Sequence, residues 1–329
     1  MREAMMKAEL GDDVFGEDPT VIQLESKAAS IFGMESGLFC PSGTMTNQIA
    51  VKMHTQPGDE VICHRLSHLY NYEGGGIMFH SGASVRLLEG DRGRFDGAAV
   101  VENINVDDVH FPVSRLVCID NTCNKGGGAI WPLKRIREIA SVCRERGLRL
   151  HLDGARLFNA LVESGDTATE YGALFDSISL CLSKGLGAPV GSVLLSSAEN
   201  IKKARRLRKV LGGEMRQAGM LAAAGLFALE HHVDRLKEDH ARARALGELL
   251  AARPEVESLL PVETNIVVAR LVSAVDPNGF LRALNEMGVR AVPFGAQTIR
   301  MVTHLDFSDD DLSAVAEAIG NINLMKVSG

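Results

Sequence analysis

Short apolar segments alternate with helical patterns along most of this chain, and this alternation constrains the fold more than any other feature. Seven segments have the pattern of strands: "SGLFC", "GDEVICHR", "ASVRLLE", "SRLVCIDN", "LRLHLD", "FDSISLCLS" and "GSVLLSS". Helical periodicity lies between several of them, most clearly in "PLKRIREIASVCRERG". Strands that alternate with helices predict an α/β fold with a mainly parallel sheet.

The last part of the chain repeats this alternation on a smaller scale. From Ala198 to about Ala252 the pattern is helical, and shorter strand and helix patterns such as "TNIVVARLV" and "PNGFLRALNEMG" follow. A chain of 329 residues is too long for one ordinary core. We therefore predict a large domain over residues 1–240 and a smaller C-terminal α/β domain over residues 241–329.

Charge and composition exclude several classes of partner. The net charge of −7 argues against nucleic acid or an anionic membrane as the main partner. No apolar run reaches the roughly 18 residues that span a bilayer, and "MREAMMKAEL" lacks the pattern of a secretory signal. The six cysteines form no CxxC pair, so we expect buried, reduced thiols and a cytoplasmic protein.

Polar residues stand where three of the predicted strands end. Asp153 closes "LRLHLD", Lys184 closes "SISLCLSK", and His68 follows "DEVICHRLS". Ligands of parallel α/β sheets bind at the carboxyl ends of the strands. Because Lys184 is followed by glycines and alanine, we expect its amine to be partly desolvated and nucleophilic. Taken singly, an aspartate or histidine at such a position is more often a cap or a packed side chain.

A fourth motif, "PSGTMTNQIA", places Ser42, Gly43 and Thr44 where a helix begins. Free backbone N–H groups beside a glycine and hydroxyls suit a phosphate, although such a start is also an ordinary helix cap. A phosphate cradle, a strand-end aspartate and a nucleophilic lysine together predict pyridoxal 5'-phosphate. Asp153 would keep the pyridine nitrogen protonated, and Lys184 would form the resting imine. No metal site is predicted.

Five longer stretches resemble the L-threonine aldolases. They are "GDDVFGEDPTV", "HLDGARLFNA", "LSKGLGAPVGS", "MRQAG" and "RMVTHLD". The resemblance extends over essentially the whole chain and implies a fold-type I transferase-like fold that uses pyridoxal phosphate. It also implies retro-aldol cleavage of L-threonine, L-allo-threonine or related β-hydroxy-α-amino acids to glycine and an aldehyde, by a homotetramer built as a dimer of dimers.

The same resemblance implies a role for each matching residue. Lys184 matches the Schiff-base lysine, Asp153 the partner of the pyridinium nitrogen, and Arg156 the arginine at the phenolic oxygen. The other matches are Gly43 and Thr44 at the phosphate, His68 stacked on the ring, His110 at the substrate β-hydroxyl, Arg300 at the substrate carboxylate, and Lys209 and Arg216 near the phosphate across a subunit interface. His110 or His68 would accept the hydroxyl proton.

The chain also departs from the family pattern. Relatives usually carry a further N-terminal segment whose serine helps to hold the substrate carboxylate, so we expect a downstream start or a clamp by Arg300 alone. Phe15 replaces a usual tyrosine, and Cys123 replaces a common histidine. Glu214 replaces a usual glycine and is expected either to repel the cofactor or to pair with Arg216.

Two other hypotheses remain open at this point. An aminotransferase or a β-eliminating lyase of the same fold type would share Lys184 and Asp153. An inactive, N-terminally truncated homologue that only binds the cofactor is the other. A dinucleotide site is rejected, because "NKGGGAI" and "EGGGI" lack GxGxxG spacing at a helix start.

Overall fold

The computed structural model describes residues 1–322 of the chain, which form two β-sheets flanked by helices. The strands are β1 (Ser36–Cys40), β2 (Asp59–His64), β3 (Ser84–Leu88), β4 (Val113–Asp120), β5 (Arg149–Asp153), β6 (Ser177–Cys181), β7 (Ser192–Ser196), β8 (Val256–Leu259), β9 (Ile266–Leu271), β10 (Val292–Gly295) and β11 (Thr298–Val302). Strands β1 to β7 follow the seven segments predicted from the sequence, and β9 follows "TNIVVARLV", whereas β8, which is short and only partly buried, was not predicted.

Helices pack against both sheets. They are α1 (Arg2–Met6), α2 (Pro19–Phe32), α3 (Gly43–His54), α4 (His68–Asn71), α5 (Gly76–Ser81), α6 (Gly97–Glu102), α7 (Leu133–Arg146), α8 (Leu157–Ser164), α9 (Ala168–Gly172), α10 (Ala198–Val210), α11 (Gly219–His231), α12 (Leu236–Ala251), α13 (Pro277–Glu286) and α14 (Asp309–Gly320). A short 3₁₀ turn spans Asp13–Phe15. No helix within residues 1–322 is both long and apolar enough to cross a membrane.

The larger sheet has seven strands in the order β1-β7-β6-β5-β4-β2-β3. The strands β3, β2, β4, β5 and β6 run parallel to one another, whereas β7 is antiparallel to both of its neighbours. Every residue of β2 and β6 is buried, as expected for strands covered on both faces. The predicted, mainly parallel sheet is confirmed.

Side-chain caps fix the starts of α2 and α3. The Asp18 carboxylate accepts hydrogen bonds from the backbone N–H groups of Thr20 and Val21 and so begins α2. The Ser42 hydroxyl accepts from the N–H of Met45, 3.2 Å away, and begins α3. Because β1 leads directly into Ser42, this cap fixes the start of α3 at the edge of the larger sheet.

The smaller sheet is antiparallel, with the order β10-β11-β9-β8, and has its own apolar core. The predicted boundary at residue 240 falls inside α12. Leu236 of this helix packs into the core of the larger sheet, and Leu246 and Leu250 pack into the smaller core. The division at residue 240 stays a prediction, and residues 323–329 of the predicted C-terminal domain lie outside the described part of the chain.

Candidate active site

A cavity of about 130 Å³ lies at the carboxyl edge of the larger sheet. Its lining residues are His68, Asp120, Thr122, Asn124, Asp153, Ala155, Arg156, Lys184 and Arg300. Four of the five predicted site residues in this set come from the larger sheet or its following loops, and Arg300 comes from β11. The amine of Lys184 and the carboxylate of Asp153 therefore share one cavity, as the predicted cofactor requires.

Two carboxylates stand side by side at this edge, because Asp120 of β4 pairs in register with Asp153 of β5. Asp153 accepts a hydrogen bond from the side-chain amide of Asn47, 2.8 Å away, and is 4% exposed. Asp120 accepts from the Ser67 hydroxyl at 2.8 Å and from the backbone N–H of His68 at 2.7 Å. Burial, followed by the charge of Asp153, raises the pKa of Asp120. Asp120 ends an apolar strand just as Asp153 does, so the same sequence signal would have found it.

His68 begins α4 with its imidazole at the cavity. Its Nδ1 lies 2.9 Å from a carboxylate oxygen of Glu73, and the ring centroid lies 5.6 Å from that of Tyr72. The hydrogen bond with Glu73 raises the pKa of His68, against the opposing effect of burial. Glu73 was not predicted as part of the site, since it lies in the loop "YEGGG" rather than at a strand end.

Two arginines give the cavity positive charge. A terminal nitrogen of Arg300 donates to the side-chain oxygen of Asn124 at 2.9 Å, and its guanidinium lies 5.0 Å from the ring centroid of Phe294. The Nε atoms of Arg156 and Arg300 are buried without a hydrogen-bond partner among residues 1–322. Burial, and then the charge of Arg300, lowers the pKa of Arg156 to about 10. Two partly buried guanidinium groups, each with an Nε–H that lacks a partner in the described residues, fit an anionic ligand.

The start of α3 completes a site that fits pyridoxal phosphate. A Cβ atom on Gly43 would lie 2.5 Å from the sulfur of Cys181, so only glycine lets the helix start approach the end of β6 this closely. One turn later, about 6 Å along the axis, Asn47 reaches Asp153. Asp153, Arg156 and Lys184 line one cavity, and Asn47 links this cavity to the helix start that could receive a phosphate.

The single chain does not bring the other predicted residues to the cavity. The His110 side chain is 81% exposed and lies 2.6 Å from the Asp108 carboxylate. Thr44 is exposed beside Gly43, and Phe15 is 70% exposed. Cys123 is buried in the loop after β4, where burial raises its thiol pKa to about 12. The predicted roles of His110 and Thr44 stay predictions.

The basic residues near the end of α10 are held by acids. Lys209 pairs with Glu214 at 2.7 Å, and Arg216 pairs with Asp12 at 2.7 Å. Glu214 also lies 3.6 Å from Arg208. The expected pairing of Glu214 with Arg216 is therefore wrong, because Asp12 takes that arginine. The predicted contacts of Lys209 and Arg216 with a cofactor phosphate stay predictions.

The cavity is identified as the site by its lining residues and not by its volume. A larger groove of about 450 Å³ lies at the amino ends of β5 and β6. Its charged side chains include Arg149 and Asp176, which already pair with each other at 2.7 Å. In parallel α/β sheets the opposite, carboxyl edge carries the ligand.

Comparison with known proteins supports this assignment. Residues 1–274 match the family described as "Beta-eliminating lyase". A probable low-specificity L-threonine aldolase 2 of Arabidopsis thaliana is 40% identical, over 98% of this chain and 93% of the relative. The low specificity L-threonine aldolase of Escherichia coli is 40% identical, over 96% of this chain and 93% of the relative. Among solved structures, the threonine aldolase of Leishmania major has a TM-score of 0.82 at 22% identity, covering 98% of this chain and 93% of that one.

The fold and the site, together with these similarities, define a pyridoxal-phosphate-dependent lyase of fold type I. The predicted fold class is thereby confirmed. The chain belongs to the low-specificity L-threonine aldolase family, within the beta-eliminating lyases.

Proposed function

We propose that the protein cleaves L-threonine, L-allo-threonine and related β-hydroxy-α-amino acids to glycine and an aldehyde. One observation carries the proposal: Lys184, Asp153 and Arg300 line a single cavity. The relatives at 40% identity, which are named low-specificity L-threonine aldolases, support the choice of substrate.

Pyridoxal 5'-phosphate is the cofactor of this proposal. Lys184 would bind its aldehyde, Asp153 its ring nitrogen, Arg156 its phenolic oxygen, and the α3 start at Gly43 and Thr44 its phosphate. When bound, the cofactor supplies an electron sink that stabilises negative charge at the substrate Cα.

Arg300 binds and orients the substrate carboxylate. Its planar guanidinium suits a bidentate contact, and its direction is fixed by Asn124 and by the ring of Phe294. Holding the substrate in this way contributes to catalysis because the reacting groups no longer have to find one another.

In this proposal His68, which lines the cavity, is the proton acceptor. As the Cα–Cβ bond breaks, the β-hydroxyl loses its proton and becomes the aldehyde oxygen, and Cα takes up a proton to give glycine. The exposed His110 is a second candidate, supplied by a neighbouring subunit.

We further infer a cytoplasmic homotetramer, a dimer of dimers. Exposed apolar side chains support an interface, for example Phe79 at 78% and Val109 at 99% exposure. His110, Lys209 and Arg216 would reach a site across such an interface. All six cysteines are free and buried, which suits a reducing compartment.

The substitution Lys184→Ala tests the proposal. We expect loss of the visible absorbance of lysine-bound cofactor and of nearly all turnover, with an unchanged far-ultraviolet circular dichroism spectrum. The wild-type assay compares L-threonine, L-allo-threonine and the D-isomers, with glycine and aldehyde measured. Retained absorbance and turnover in the variant would exclude the role of Lys184. Keto acid or ammonia as the main product would indicate an aminotransferase or a β-eliminating enzyme instead.

A further inference from the structure

We propose that Glu73 is a positioning residue that makes His68 a base, by fixing its proton on Nδ1 and leaving Nε2 for the substrate. This inference rests on the proposed function, in which His68 accepts the hydroxyl proton. Glu73 itself does not line the cavity, so it acts through the imidazole.

Three nitrogen atoms contact the carboxylate of Glu73. Its side chain is 0% exposed. One carboxylate oxygen lies 2.9 Å from Nδ1 of His68 and accepts from Asn47 at 2.8 Å, and the other accepts from Gln48 at 2.6 Å. An ionised carboxylate only accepts hydrogen bonds, so an ionised Glu73 satisfies all three contacts when Nδ1 of His68 carries the proton.

The side-chain amide of Asn47 fixes the same arrangement from the other side. Its nitrogen donates to Glu73 and to Asp153, each at 2.8 Å, so both of its hydrogens point at carboxylates. Its oxygen then accepts from Nε2 of His151, 3.2 Å away. Because both hydrogens are used, the amide cannot be flipped without facing an oxygen to an oxygen. One amide therefore connects the predicted partner of the cofactor ring with the partner of the base.

The second nitrogen of His68 is left open by this network. No hydrogen-bond partner of its Nε2 occurs within the described chain, and the residue lines the cavity with Lys184 and Arg300. With Nδ1 protonated, Nε2 carries the lone pair that a base needs. The carboxylate also raises the pKa of His68, which strengthens the base.

In this proposal His68 both takes up the proton of the substrate and returns it. Nε2 takes the proton of the β-hydroxyl as the Cα–Cβ bond breaks, and the resulting imidazolium then has N–H groups on both nitrogens. The ionised Glu73 offsets the positive charge through the Nδ1–H that it already holds. Return of the proton from Nε2 to Cα completes glycine, so one proton leaves oxygen and one arrives at carbon.

Glu73→Gln is the informative substitution because it keeps the shape and removes an acceptor. Glutamine has one oxygen where the carboxylate had two, so one contact loses its acceptor unless Gln48 turns its own side-chain oxygen, which is buried without a partner among residues 1–322, toward the new amide. A glutamine that turned its N–H toward His68 would move the imidazole proton to Nε2 and remove the base. The same change of carboxylate to amide beside a serine-protease histidine lowers kcat by about 10⁴ with the geometry intact.

The chain contains a matched control in a second histidine–glutamate pair. Nδ1 of His240 lies 2.9 Å from the carboxylate of Glu163, the same distance as in the pair of His68 and Glu73. Neither residue lines the cavity. Glu163→Gln therefore makes the same chemical change at the same kind of contact, away from the reacting groups.

The first measurement is nuclear magnetic resonance of purified holoenzyme labelled with ¹⁵N-histidine, without substrate. The signals of His68, among the ten histidines, are assigned by their absence in His68→Asn. We expect neutral wild-type His68 to carry its proton on Nδ1. In Glu73→Gln we expect the pKa of His68 to be lower than in the wild type, and in Glu163→Gln unchanged.

The second measurement is the pH dependence of turnover. Glu73→Gln should lower kcat by about 10²–10⁴ with little change in KM, and should move the acid limb of kcat/KM to lower pH. Glu163→Gln should leave kcat within about twofold of wild type. The wild-type spectrum uses His68→Asn only for assignment, and a neutral His68 with its proton on Nε2 would overturn the inference. So would a Glu73→Gln enzyme with unchanged kcat, or one that loses kcat while the His68 pKa stays the same. Failure of the proposed function would show instead in Lys184→Ala, because the position of the His68 proton is measured without turnover.

Discussion

The pairs His68–Glu73 and His240–Glu163 have the same histidine–carboxylate contact but differ in the exposure of the histidine and in the direction of its pKa shift. In both, Nδ1 lies 2.9 Å from a carboxylate oxygen. The His68 side chain is 31% exposed at the cavity, and the carboxylate raises its pKa. The His240 side chain, on α12, is 0% exposed, and burial lowers its pKa.

The two histidines also differ at the second ring nitrogen. Nε2 of His240 receives a hydrogen bond from the side-chain amide of Asn159 at 3.0 Å, so a neutral ring there has both nitrogens satisfied. Nε2 of His68 has no such partner in the described residues. A histidine that is fully bonded in its neutral form stabilises the fold, whereas one with an open nitrogen beside a carboxylate is available for proton transfer.

The largest expected effect comes from removing each ring. His68→Asn should lower kcat by about 10²–10⁴ and change stability little, because a general base is lost at a partly exposed site. His240→Asn should leave turnover per folded molecule unchanged and destabilise the protein by about 1–3 kcal/mol, because the buried amide of Asn159 loses its acceptor. Steady-state kinetics measure kcat and urea unfolding measures the stability of the two variants. Equal losses of kcat would contradict the assignment of a catalytic role to His68 and a structural role to His240.

The next effect concerns the surroundings of His240 on α12. The Asp239 side chain is 0% exposed and lies 2.6 Å from Arg235. Arg235→Met should destabilise the protein by about 3–5 kcal/mol, because it leaves a buried carboxylate without its partner. The control Arg270→Met breaks an exposed pair with Glu257 and should cost less than about 1 kcal/mol. Urea unfolding midpoints of the two variants measure these losses. Similar losses in both would show that the buried pair on α12 stabilises the protein no more than the exposed pair does.

The smallest expected effect is on the pH dependence of stability, which the two histidines should change in opposite directions. The folded-state pKa of His240 is lowered, so its contribution to stability is present above pH 6.5 and is lost as the pH falls from 6.5 through the folded-state pKa. The folded-state pKa of His68 is raised, so its contribution is present below pH 6.5 and is lost as the pH rises through that pKa. Urea midpoints between pH 8 and pH 5 should therefore fall less on acidification in His240→Asn than in the wild type. They should fall more in His68→Asn, and a shared direction would contradict the assigned shifts.

Much of the fold could be predicted because local patterns and tertiary structure agree. Alternating apolar residues mark β5, and the polar residue that ends it, Asp153, lies at the ligand-binding edge of the sheet. The β8 strand was missed because its four residues are only partly buried and show no such pattern. Asp120 was missed although it carries the same signal as Asp153.

The hydrogen bonds of Glu73 and Asn47 could not be predicted from the sequence, for a different reason. Glu73 lies in a loop, and Asn47 lies in the middle of α3, where a polar residue usually faces solvent. Their roles depend on a meeting of three separate segments, which no local spacing encodes. His110, Lys209 and Arg216 were placed by resemblance alone, and the single chain leaves them away from the cavity.

The close contact between Gly43 and Cys181 sets the spacing at one end of the site. With no side chain at position 43, the start of α3 packs directly against the end of β6, and Lys184 follows Cys181 after two residues. In the proposed function the phosphate therefore binds one strand end away from the amine that takes the aldehyde. We expect an aldehyde that lacks the phosphate to bind more weakly, because nothing would anchor its far side.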